Sequence, residues 1–137
     1  MIIYNIVLLI YLILCTISDI RYKKISLIQS LCFFIIGILF QIYFGSLSFH
    51  TVISLIPGIF LILLSMVSSG QLGPGDGIMV TICGLYLGFI EIPAIILISC
   101  FVVIIYAIIL GFIRKKRIKA VPYAPFLFIA CTVTTFI

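Results

Sequence analysis

The chain has 137 residues, of which 66% are hydrophobic and 8% charged, with a net charge of +5 and a mean hydropathy of +1.55. A soluble domain is about one quarter charged and about half apolar, so a soluble enzyme and a disordered tail are excluded. A nucleic-acid-binding domain is excluded too, because it needs its basic face on a soluble scaffold. What remains is an all-α polytopic membrane protein, long enough for roughly six crossings of about 20 residues each, with residues 1–137 forming a single transmembrane domain.

Six apolar runs are separated by short polar or turn-forming breaks. The first predicts a helix over 2–18. It lacks the basic n-region and small-residue cleavage site of a signal peptide, so it is read as a retained helix. Asp19 follows, then Arg21, Lys23 and Lys24. The second and third helices are predicted over 26–43 and 51–68, with His50 an interfacial residue at the start of the third. The turn Gly73-Pro74-Gly75-Asp76-Gly77 leads into a fourth helix over 76–90. Glu91 and Pro93 break the pattern there, and Glu91 is read as a loop residue without a catalytic role. Gly84 and Gly88, with Gly77 nearby, form a stripe of small residues suited to close helix packing. The fifth helix is predicted over 93–113 and is followed by Arg114, Lys115, Lys116, Arg117 and Lys119. Pro122 suits the first turn of a sixth helix that runs to the C-terminus. Cys15, Cys32, Cys83, Cys100 and Cys131 are scattered singly, with no CxxC pair or His spacing. They are expected to be buried small apolar side chains, and neither a metal nor another cofactor is expected.

The loops decide the topology. All eight Lys and Arg fall between the first and second or between the fifth and sixth helices. In an alternating six-helix chain those loops share a side, so both are expected in the cytoplasm, touching anionic lipid, with both termini outside. The connection between the third and fourth helices then shares the cytoplasmic side although it carries no basic residue. It carries Asp76. Asp19, at the end of the first helix, lies on the same side, whereas Glu91 and His50 lie opposite.

The two aspartates of the chain are thereby free to meet. Carboxyls about 3 Å apart cannot both ionise easily, so one holds a proton while the other stays charged. Such a pair can activate a water with the ionised member and protonate a scissile carbonyl oxygen with the other, which is the chemistry of aspartic proteolysis. Each carboxyl also has a plainer reading. Asp76 suits the N-cap of the fourth helix, and Asp19 suits an interfacial carboxylate offset by Lys23.

These residues resemble a known family. Asp19-Ile20-Arg21-Tyr22-Lys23-Lys24-Ile25 is similar to the first active-site segment of the type IV prepilin peptidases, and Gly73-Pro74-Gly75-Asp76 fits their GxGD motif. Val121-Pro122-Tyr123-Ala124-Pro125-Phe126 resembles the Pro-aromatic-small-Pro-Phe stretch that opens their last helix. The resemblance implies a membrane aspartic endopeptidase that removes the short basic cytoplasmic leader of prepilin-like proteins, in a type IV pilus or a related secretion system. It implies Asp19 and Asp76 as the catalytic pair, and on that reading Gly73, Gly75 and Gly77 admit the extended substrate. With no CxxC and a first helix starting at residue 2, the expected form is peptidase-only, like the preflagellin and Flp-type enzymes. The chain departs from the pattern at Ser26-Leu27, where Pro-Asn is common, and at Ile78, where Lys is common. Both departures bear on substrate range.

Two alternatives come from other classes: a small proton- or cation-coupled transporter subunit using the same carboxylates, and a non-catalytic membrane assembly factor. Presenilin-like proteases also carry GxGD but pair it with Tyr-Asp, and Asp19 is preceded by Ser18.

Overall fold

A computed structural model of the chain describes residues 2–22, 25–45, 49–67, 73–114 and 123–136, and all regular structure within them is helical. The six helices are α1 (Ile2–Tyr22), α2 (Leu27–Tyr43), α3 (Phe49–Val67), α4 (Pro74–Leu87), α5 (Glu91–Arg114) and α6 (Ala124–Phe136). Segments 3–22, 49–67 and 91–110 are long and apolar enough to cross a bilayer. The other three helices are shorter; α4, at 14 residues, spans only about 21 Å. Ile28, Leu31, Leu39, Leu97, Phe101 and Ile104 lie exposed along α2 and α5. An apolar surface of this extent would associate in water, and it points to a membrane location.

The boundaries correct several expectations, each for a local reason. α1 runs one turn beyond Ser18, placing Asp19 inside its last turn. Ser26 is the N-cap of α2, accepting weakly from the Gln29 N–H at 3.5 Å. The fourth helix starts two residues earlier than expected: Gly73 is its N-cap and Pro74 takes the first helical position, where a missing N–H does no harm. It stops at Leu87 because Gly88 adopts φ 87°, a left-handed conformation that few other residues tolerate. Gly88 therefore ends α4 and does not extend its packing stripe. Glu91 is the first residue of α5 and no loop residue, since Pro93 falls in the first turn, where proline is accommodated. Pro125 occupies the first turn of α6, while Pro122 lies outside the described residues, as do Lys23, Lys24, Lys115, Lys116, Arg117 and Lys119. Of the five cysteines, Cys15, Cys83 and Cys131 are buried as expected, but Cys32 and Cys100 are exposed.

α4 is the hub, packing on α1, α2, α3 and α5, while α6 lies against α1 and α5. Its closest partner is α3. The Cβ of an alanine at Gly84 would overlap the Ser54 carbonyl oxygen, and one at Gly58 would overlap the Thr81 backbone. One at Gly77 would meet the Ile62 nitrogen at 2.8 Å and the Gly58 oxygen at 3.1 Å. Small residues on both helices thus let the two backbones approach. On its other faces Met79, Val80, Ile82 and Cys83 pack with Leu8, Tyr11 and Leu12 of α1 and with Leu127 and Cys131 of α6 in one core.

Candidate active site

Asp19 sits in the last turn of α1, an unfavourable end for a negative charge because the helix carbonyls point there. The fold supplies a different helix to offset it. Its Oδ2 accepts a hydrogen bond from the Ala124 N–H, 3.1 Å away at the start of α6. The first N–H groups of a helix have no partner inside it, so a carboxylate is well suited to that position. This bond spans 105 positions, while the expected pairing with Lys23 lies outside the described residues.

Asp76 is the third residue of α4. Its N–H donates to the Gly73 carbonyl at 3.1 Å, and no side chain caps the helix. Asp76 therefore belongs to the first turn, where a negative charge is favoured, without being the N-cap. Its carboxyl is half-buried and accepts no hydrogen bond among the described residues. It lies near Gly73, where an added Cβ would stand 3.5 Å from Oδ2. The charge of Asp19 reaches Asp76, and that of Asp76 reaches Tyr123. The two carboxyls thus share one end of the bundle, between the starts of α4 and α6.

The three glycines of the turn have different surroundings. Gly73 is exposed. Gly75 faces the connection between α1 and α2, where an added Cβ would meet Ile25 Cδ1 at 2.8 Å. Gly77 is buried against α3, so its contact is with the bundle itself. Beyond the turn, Ile78 lines an apolar cleft of about 410 Å³ with Leu27, Ile28, Leu31 and Phe34 of α2. Tyr123 completes this end of the molecule, its hydroxyl 2.7 Å from Ser99 Oγ.

Glu91 lies at the other end, in a cavity with Asn5, Gln41 and Thr134. His50 is exposed in the first turn of α3, which starts at that same end. The structure thus keeps Asp19 with Asp76 and Glu91 apart from them. Sequence reasoning missed two features of the site, the Ala124 N–H and the Ser99 to Tyr123 bond. Pro125 marks a helix start, but nothing in the sequence pairs that start with Asp19.

Comparison with curated proteins and with solved structures finds no match for this chain. A profile of the type IV leader peptidase family matches residues 6–108, a stretch that holds Asp19, the glycine turn and Asp76 and ends before Val121. With most of its length matched, the chain belongs to the type IV leader peptidase family and is a peptidase by that membership.

Proposed function

We propose that the protein is a membrane aspartic endopeptidase that removes the basic cytoplasmic leader of prepilin-like proteins, with Asp19 and Asp76 as its catalytic pair. The observation that carries this reading is the placement of two carboxyls, 57 positions apart in sequence, at one end of the bundle, one bonded to the start of α6 and the other in the first turn of α4.

One carboxyl, ionised, takes a proton from a water as its oxygen attacks the scissile carbonyl carbon. The other, protonated, donates to the carbonyl oxygen. The first carboxyl then passes the proton it took to the leaving nitrogen as the C–N bond breaks, and the second takes back a hydroxyl proton as the intermediate collapses to the acid, which restores the pair. Because one proton serves both carboxyls, activity falls when both are protonated and again when both are ionised. Gly73 carries no side chain beside Asp76 and leaves room for an extended substrate backbone, whereas Gly75 lies against Ile25 and Gly77 serves the α3 contact.

Topology supports the reading. The end of α1 meets the start of α6, and Ile25 meets the start of α4, so three connections lie together. Those connections, with the last turns of α1 and α5 that lead into them, hold all eight basic residues. Under the positive-inside rule this end faces the cytoplasm, six helices cross the membrane as one domain over residues 1–137, and both termini are outside. The short α2, α4 and α6 then span by local thinning of the bilayer.

The test is co-expression with a prepilin-like substrate, following the leader by gel shift. Cleavage is expected from the wild type and from neither Asp19→Asn nor Asp76→Asn. Normal cleavage by both variants would overturn the assignment.

A further inference from the structure

The end of the bundle opposite the aspartates holds a cavity of about 470 Å³ where α1, α2, α4, α5 and α6 come together. That volume is in the range of small-molecule sites. Its polar lining includes Glu91, Asn5, Thr134 and Thr135, and its aromatic lining is Tyr4, Phe44 and Tyr86. The rings form a cluster, with Tyr4 centred 5.7 Å from Phe44 and 6.4 Å from Tyr86. Glu91 is half-buried and forms no ion pair among the described residues. No Lys or Arg lies near it in the sequence, since the eight basic residues fall within 21–24 and 114–119.

A half-buried carboxylate with no ion-pair partner among the described residues is costly at a membrane boundary. Carboxylate and aromatic rings around one cavity are the groups that recognise an ammonium, the first by charge and the second by the negative faces of the rings. A divalent metal ion fits less well, because no three His, Cys, Asp or Glu side chains stand together among the described residues. Phe44 also borders a second, apolar cleft of about 600 Å³ along the end of α2, lined by Ile36, Leu39, Phe40, Ile42 and Tyr43. Phe44 thus lines both spaces. One suits a small cationic head and the other a hydrocarbon chain.

We infer that this end of the molecule binds a phospholipid with an amine head group, its ammonium on Glu91 and the aromatic cluster and its acyl chain in the α2 cleft. Asn5 carries a donor for the lipid phosphate, whereas the Thr134 and Thr135 hydroxyls donate to carbonyls of their own helix. The charge complementarity selects this occupant: an anionic head would meet the carboxylate, with no Lys or Arg near it in the sequence to hold it. The inference is independent of the peptidase reading, since it uses none of the residues near Asp19 or Asp76.

The test uses the full chain in detergent, titrated with phosphatidylethanolamine or phosphatidylglycerol of identical acyl chains and read by native mass spectrometry. The wild type is expected to retain the amine lipid roughly tenfold better, the scale of one desolvated charge and ring contact. Glu91→Gln should bring the two lipids to parity. Phe44→Leu, which keeps an apolar side chain and removes the ring, should reduce the preference about threefold, with circular dichroism confirming the helices of both variants. Equal retention by the wild type, or an undiminished preference in either folded variant, would overturn the proposal. So would competition by chain-free glycerophosphoethanolamine as strong as that of the lipid, since the occupant would then be a soluble amine.

Discussion

The two ends of α4 carry polar groups of opposite design. At the C-terminal end the last carbonyls are taken up. Gln41 Nε2 donates to the Leu85 oxygen at 2.7 Å, Ser54 Oγ to the Gly84 oxygen at 2.8 Å, and the Gly88 N–H to the same Gly84 oxygen at 3.0 Å. Thr51 in turn donates to Gln41 Oε1 at 3.2 Å. At the N-terminal end Gly73 offers no side-chain cap, and the Asp76 carboxyl accepts nothing among the described residues. Asp19 beside it is bonded to one backbone N–H of another helix. In a setting with little water, polarity that serves the fold is closed off by partners, since an unpaired buried group costs about 1–3 kcal/mol. Polarity kept open at such a price needs another purpose, and a pair of carboxyls that must hold a water and a peptide bond has one.

Substitutions can break this comparison at either end. The largest effect on stability is expected at Gly84→Ala, where the new methyl overlaps the Ser54 carbonyl. The backbones of α3 and α4 must separate, at about 3 kcal/mol or more, and the folded yield in detergent should collapse. Gln41→Leu removes a donor from the Leu85 carbonyl and a partner from Thr51. It should lower the unfolding free energy by about 1–3 kcal/mol while leaving leader cleavage by the folded fraction unchanged.

Asp19 separates the roles of fold and chemistry at the other end. Asp19→Ala loses the acceptor for the Ala124 N–H and should destabilise by about 1 kcal/mol. Asp19→Asn keeps an acceptor and should fall within about 0.5 kcal/mol of the wild type, measured by denaturant unfolding. The smallest stability effect belongs to Gly73→Ala, whose methyl meets only the Asp76 carboxyl at ordinary contact distance. Its stability should change by less than about 0.5 kcal/mol, while cleavage, measured on the same preparation, should slow because the added group crowds the proposed site.

The order of the six helices was legible in the sequence, because apolar runs mark helices, and the expected side of each loop was drawn from its basic residues. That sorting alone put Asp19 and Asp76 at one end. The errors cluster where local preferences compete. Aspartate is a strong N-cap, which drew the expected start of α4 to Asp76, although Gly73-Pro74 provides both a cap and a first helical residue. Pro93 read as a break, although a helix tolerates proline in its first turn. The exposed Cys32 and Cys100 show a deeper limit: when the outside is as apolar as the core, hydrophobic periodicity no longer says which face is buried. The bond from Asp19 to Ala124 could not be foreseen, because it depends on how α1 and α6 lie side by side.

The central claim, that the open end of α4 holds the chemistry, is tested most directly by measuring leader cleavage and unfolding together on purified Asp19→Asn and Asp76→Asn proteins. The account predicts near-wild-type unfolding with cleavage reduced by about 10²-fold or more in each variant. Wild-type cleavage rates in both folded variants would contradict it.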